Sequence, residues 1–175
     1  MSQNIILKNG YSFIEVDKFE DGTKMRDDKI DDVIFIKEAN KYYKRDFKGA
    51  IKSTWFGCIG DGIKNDSESL QKAINTCLIL GKDLEIDGKI LIKNKININR
   101  QVDSEKYRKY FTIFSNSGGG FKIACDYAFT SDLKSLIPVS QLIKFQNLYF
   151  EGVNNYILDG NKFLRLQFNS CSFSA

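Results

Sequence analysis

The feature that most narrows the fold is a pair of eight-residue segments late in the chain. Ile143-Lys144-Phe145-Gln146-Asn147-Leu148-Tyr149-Phe150 lies over Leu166-Gln167-Phe168-Asn169-Ser170-Cys171-Ser172-Phe173 at an offset of 23 residues. Apolar residues coincide at 143/166, 145/168, 148/171 and 150/173, and polar ones at 144/167, 146/169 and 147/170. The lapse in strict alternation recurs along with the residues, which two unrelated strands sharing a Phe-rich alphabet would not reproduce. A repeat of this length, with strands and turns inside it, is the mark of a solenoid. No coil buries its own inward face, so neighbouring coils must stack.

Earlier in the chain the same texture continues. Leu84 and Ile86 alternate, Asp87-Gly88 turns, and Ile90, Ile92, Ile96 and Ile98 alternate with Lys and Asn. Period two means strands with one face buried. Phe111-Thr112-Ile113-Phe114 reads as another strand, Ser117-Gly118-Gly119-Gly120 as a turn, and Phe121 and Ile123 resume the pattern. Residues 99–110 carry Arg100, Asp103, Glu105, Lys106, Arg108 and Lys109, and are expected to be an exposed excursion. The 14 Phe and 8 Tyr suit strands. A mostly β fold is expected.

Before these strands stands one helix, and the chain is organised around the approach to it. Trp55 to Ile59 is a short apolar run, after which Gly60-Asp61-Gly62 is expected to turn sharply. Asn65 with Glu68 three residues on fits a capping box, and Asp66 or Ser67 are alternative caps. Leu70, Ala73, Ile74, Cys77 and Leu78 then share one helix face, and Gly81 ends the helix. The first coil of a solenoid leaves open backbone groups and an apolar end. Residues 66–80 are expected to be the plug that closes it.

Gly-Asp-Gly, a short polar stretch and an amphipathic helix together resemble the opening segment of pectate-lyase-like right-handed β-helices. That superfamily includes polysaccharide lyases, hydrolases and bacteriophage tailspikes, and this chain looks most like the amino-terminal part of a tailspike. The family pattern reads Phe-Gly-Ala-x-Gly-Asp-Gly-x-x-Asp-Asp-Thr; here Cys58 stands at the Ala, Asn65 at the first Asp and Ser67 at the Thr. The resemblance covers residues 53–175. It implies the first coils of a right-handed parallel β-helix with a capping helix, trimeric assembly, a place in the virion and a surface offered to bacterial polysaccharide. Two other functions share the fold: the amino-terminal part of a bacterial polysaccharide lyase or glycoside hydrolase, and a non-enzymatic surface or adhesion solenoid.

Residues 1–52 read as a smaller β-rich appendage. Val33-Ile34-Phe35-Ile36-Lys37 and Lys41-Tyr42-Tyr43-Lys44-Arg45-Asp46-Phe47, joined by Glu38-Ala39-Asn40, predict a hairpin. Under the resemblance this region attaches to a phage tail or baseplate protein. The net charge of +4, from 26 basic and 22 acidic residues, is interspersed and gives no basic run for nucleic acid. The amino-terminal residues lack the pattern of a secretory signal, and no apolar stretch approaches the ~20 residues of a membrane span. That combination fits a virion component better than a secreted pectinase. The chain stops within the repeat pattern at Ala175, so it is expected to be part of a longer protein.

Chemistry is harder to place. No histidine is present, which excludes His-dependent triads and His-ligated metals. The four cysteines, 58, 77, 125 and 171, have no C-x-x-C pair and are expected to be buried free thiols. No cofactor or metal is expected. Gly60, Asp61, Gly62, Asn65 and Asp66 are assigned to the turn and helix cap, a better account of the two Asp than metal binding. Glycoside cleavage needs two carboxylates roughly 5 to 9.5 Å apart across a groove, and Asp126, Asp132, Glu151 and Asp159 offer no pair with a defensible spacing. No catalytic residue is assigned. Tyr107 and Tyr110, in the charged excursion, are the candidates for stacking on sugar rings, ahead of Tyr42 and Tyr43.

Overall fold

The computed structural model describes residues 4–98, 110–130, 142–152, 156–158 and 165–174. The chain divides into two compact units, Met1–Lys48 and Gly49–Ala175. The division expected after residue 52 falls earlier because Ile51–Lys52 is already a strand of the larger unit, paired with Leu84 and Glu85.

The smaller unit is an antiparallel sheet of β1 (Ile5–Lys8), β2 (Tyr11–Glu15), β3 (Phe35–Glu38) and β4 (Lys41–Arg45), in the order β1-β2-β4-β3. Both hairpins turn through two residues of positive φ, Asn9-Gly10 and Ala39-Asn40, the backbone twist that matches flanking strands. The second hairpin is the expected one, with Glu38 paired to Lys41 rather than left in the loop. Phe13, Ile36 and Tyr43 bury one face, with Ile6 packed against them. Lys8 on one edge strand bonds Glu38 on the other at 2.5 Å, so the sheet is curled.

The larger unit begins with β5 (Ile51–Lys52), a short 3-10 turn over Ser53–Phe56, β6 (Asp61–Asn65) and helix α1 (Ser67–Leu80). Strands then come in threes: β7 (Leu84–Glu85), β8 (Lys89–Ile92) and β9 (Ile96–Asn97); β10 (Tyr110–Phe114), β11 (Gly120–Ile123) and β12 (Tyr127–Thr130); β13 (Leu142–Gln146), β14 (Tyr149–Glu151) and β15 (Tyr156–Leu158). β16 (Arg165–Asn169) and β17 (Ser172–Ser174) follow. Corresponding strands of successive turns pair in parallel, giving three sheets ordered β16-β13-β10-β7-β5, β17-β14-β11-β8-β6 and β15-β12-β9.

The register fulfils the repeat. Ile143 stands opposite Leu166, Phe145 opposite Phe168 and Phe150 opposite Phe173, the offset of 23 read from the sequence. The lapse in alternation has a backbone cause: Asn147 and Ser170, at the same place in the two turns, both have positive φ. They sit where the chain leaves the first sheet for the second, and short polar side chains tolerate that conformation better than β-branched ones.

Inward positions form columns. Ile51, Leu84, Ile113 and Phe145 are fully buried in the first sheet, as are Ile90, Phe121 and Phe150 in the second, while Ile96 and Phe129 serve the third. Phe145 stacks on Phe168 at 5.1 Å and Phe150 on Phe173 at 5.2 Å, the ring planes nearly parallel in both cases. Burying a side chain of this size stabilises by about 1.5–3 kcal/mol, so these columns dominate the cohesion of the stack.

Candidate functional site

Two places carry chemistry: the segment that leads into the helix, and the outward face of the second sheet. At the first, the five residues assigned to turn and cap come together in a different arrangement. Asp61 to Asn65 is an irregular strand along β8, with Asp61 opposite Lys89 and Asn65 opposite Leu91, so the expected sharp turn is a bulge within a strand. The Asp61 carboxylate accepts the N–H groups of Ile63 and Lys64, both at 2.8 Å, and these bonds hold its pKa below the usual value. Gly60 has positive φ, and a β-carbon there would meet the Asp87 carbonyl oxygen at 2.5 Å. Only glycine fits so close an approach between turns.

The predicted capping box does not form. Asn65 Oδ1 accepts the backbone N–H and the hydroxyl of Ser67, and Glu68 instead pairs with Lys72 one turn along the helix. Asp66 occupies the cap position without a side-chain cap bond. Its buried carboxylate faces back into the loop, accepting the N–H groups of Ile59 at 2.9 Å and Gly60 at 3.2 Å. It is a loop clamp rather than a helix cap. Loop donors that no secondary structure satisfies outbid the helix N–H groups, because buried N–H groups left unpaired are costly.

The helix buries Leu70, Ala73, Ile74 and Cys77 as its periodicity predicts, while Leu78 of the same predicted face is half-buried, and Gly81 ends the helix in the left-handed conformation. It packs against β5, β7, β8 and β9, the strands nearest the start of the three sheets. Its polar side chains satisfy open backbone groups of β9 and of the corner between β8 and β9. The Gln71 amide accepts the Asn97 N–H at 2.7 Å and donates to the Asn97 carbonyl at 2.8 Å, the pairing a neighbouring strand would make. Ser67 Oγ accepts the N–H groups of Lys93 and Asn94.

On the outward face of the second sheet, Lys89, Gly120 and Tyr149 stand side by side in successive turns, with Lys122 and Glu151 in the next outward row. Lys89 reaches across the intervening turn to Glu151, its Nζ 2.6 Å from the carboxylate and 5.4 Å from the Tyr149 ring centre. This bond lowers the Glu151 pKa and raises that of Lys89, while burial raises that of Tyr149. Gly120 makes room for the ring: a β-carbon there would lie 2.7 Å from Tyr149 Cδ1 and 2.1 Å from its carbonyl oxygen. The result is an aromatic ring laid over a glycine, with ammonium and carboxylate groups beside it.

The residues nominated for sugar stacking fare otherwise. Tyr107 lies outside the described residues, as do Asp132 and Asp159. Tyr110 is the first residue of β10, paired with Leu142, and so belongs to a strand rather than to the charged excursion. Tyr42 bonds Asp27 and Tyr43 lies in the core, so neither is free for a ligand. The cysteines are free thiols, but only Cys58 and Cys77 are buried and Cys125 and Cys171 are half-buried. Among the described residues no cluster of acidic, Cys or His side chains could hold a metal, and no helix is long and apolar enough to cross a membrane.

No family model matches the chain. It is 43% identical over 58 residues to an uncharacterized 65.4 kDa protein in the cps region of Klebsiella pneumoniae, a match covering 31% of this chain and 10% of that protein. Its fold is that of the crystal structure of the Acinetobacter baumannii phage AM24 tailspike protein, with a TM-score of 0.67 and 15% identity over 95% of this chain. The chain spans 28% of that tailspike. The tailspike-like fold anticipated from the Gly-Asp-Gly segment and the repeat is therefore present.

Proposed function

We propose that this chain is the amino-terminal portion of a bacteriophage tailspike or tail-fibre subunit. Its three parallel sheets form the first coils of a right-handed parallel β-helix, and helix α1 is the lid on the open end. The smaller unit attaches to a tail or baseplate protein, and the β-helix presents its outer faces to host surface polysaccharide. The subunit works as a homotrimer in the virion tail.

The observation that carries this reading is the fold itself: one tailspike accounts for 95% of the chain, both units included. The lid role is supported by the Gln71 bonds to the open backbone of β9 and the Ser67 bonds to the corner between β8 and β9. The second reading is the amino-terminal part of a bacterial polysaccharide lyase or glycoside hydrolase; the 58-residue match to an uncharacterized protein of Klebsiella pneumoniae supports its bacterial source and not its chemistry.

Immunogold electron microscopy with antibody raised against the purified chain separates the two. Tail labelling on virions of the phage that carries the gene is the expected result. Label confined to bacterial cells or culture medium, with clean virions, would overturn the proposal. Light scattering of the purified protein tests the assembly; a monomer at high concentration contradicts the trimer.

A further inference from the structure

We propose that Tyr149, Lys122, Lys89 and Glu151 form a subsite for an acidic pyranose residue of a surface polysaccharide. The inference rests on the proposed function and adds to it a place and a ligand charge.

The starting point is an outward tyrosine that sits over glycine. Gly120 leaves its outward position empty, and the Tyr149 ring fills it, lying against main chain instead of projecting into water. The ring is half-buried, with the Lys89 ammonium over it at 5.4 Å, and the part left exposed suits a platform for the apolar face of a sugar. Polar groups stand around it at fixed places. The Glu151 carboxylate accepts from adjacent hydroxyls, and the Lys89 ammonium donates to a ring or hydroxyl oxygen. Their mutual 2.6 Å bond, bridging two turns, keeps both in place.

The charge of the ligand follows from the count of charges. Around the ring two ammonium groups, Lys89 and Lys122, face one carboxylate, Glu151; the other carboxylate of the row, Asp61, stands on the far side of Lys89 and is turned to the Ile63 and Lys64 N–H groups. Lys122 stands opposite Glu151 in register, and among the described residues no ion pair holds it. The surplus positive charge is complementary to a uronate or other acid-bearing sugar.

The test is native affinity electrophoresis of the whole chain in gels containing acidic capsular polysaccharides from Klebsiella pneumoniae and Acinetobacter baumannii, with neutral dextran as the control. The wild type is expected to be retarded by at least one acidic polysaccharide and not by dextran. Tyr149→Ala should bind about tenfold more weakly, the scale of one lost aromatic contact, while Tyr149→Phe keeps the platform and binds as the wild type does. Lys122→Met should weaken binding and flatten its salt dependence, whereas Lys82→Met, on the loop after the helix, should do neither. Thermal melts establish that each variant is folded. Wild-type retardation that Tyr149→Ala leaves unchanged would overturn the subsite alone. Absence of retardation by every acidic polysaccharide would overturn the subsite together with polysaccharide recognition by these coils.

Discussion

Replacing Gln71 by Leu tests whether the helix is joined to the strand ends by hydrogen bonds or merely rests on them. The substitution keeps helix propensity and approximate volume. It removes two bonds to the Asn97 backbone, at 2.7 and 2.8 Å, and a minor exposed one to Asn75. Each backbone bond contributes about 1 kcal/mol net, and an exposed side-chain pair on a helix adds about 0.2–0.5 kcal/mol. The total is about 2 kcal/mol. With a urea m-value of about 2 kcal/mol/M, the unfolding midpoint should fall by about 1 M at unchanged m. The Asn97 amide should also lose hydrogen-exchange protection before the sheet interior does. Lys72→Ala is the comparison, because that exposed residue has only its pair with Glu68 to lose. A midpoint shift for Gln71→Leu no larger than that of Lys72→Ala would refute the reasoning.

Further predictions follow from single sites. Gly120→Ala should destabilise by about 1–3 kcal/mol, since its β-carbon would lie 2.1 Å from the Tyr149 carbonyl oxygen; a melt within a degree of wild type would refute the close approach. Cys58, whose pKa is pushed up to about 12 by burial and then by Asp66, should resist a thiol reagent at pH 8 in the folded chain, whereas Cys171 should react; equal rates would contradict this. The bond from Lys89 depresses the Glu151 pKa, so its stabilising effect is full above the unfolded carboxylate value and is lost as pH falls through the folded one. Lys89→Met should therefore narrow the difference in stability between neutral and acidic solution, as read from urea midpoints at pH 7 and pH 3.

Much of the larger unit was legible because its last turns repeat on a short, constant offset. The earlier turns are not so regular: Phe121 pairs with Ile90, 31 residues back, and with Phe150, 29 ahead. Loops of varying length between strands hide such a period, so the alternation of Leu84 to Ile98 announced strands without announcing their partners. The helix face was legible for the same reason that it forms, since Leu70, Ala73, Ile74 and Cys77 need no distant information to share a side. The helix start was not. Asn65, Asp66 and Glu68 offered several local caps, and the outcome depended on the Ile59 and Gly60 N–H groups, which the fold brings back to Asp66. The outward cluster escaped the sequence entirely. Lys89 and Glu151 are 62 residues apart and meet only because a single turn is stacked between theirs. Glycine at 120 had an evident reading as a turn, and its use as the bed for Tyr149 required the register.

Cysteine pairs on the outward row measure the stacking of parallel strands in register directly. Thr112, Lys144 and Gln167 stand opposite one another in β10, β13 and β16. Neighbouring strands lie about 4.8 Å apart and alternate ones about 10 Å, against a disulfide limit near 7 Å between α-carbons. With Cys125 and Cys171 changed to Ser, Lys144→Cys combined with Gln167→Cys should oxidise to an intramolecular disulfide, as should Thr112→Cys with Lys144→Cys. Thr112→Cys with Gln167→Cys should not. Efficient linking of the 112–167 pair, or none in the two neighbouring pairs, would contradict the stack and everything built on it.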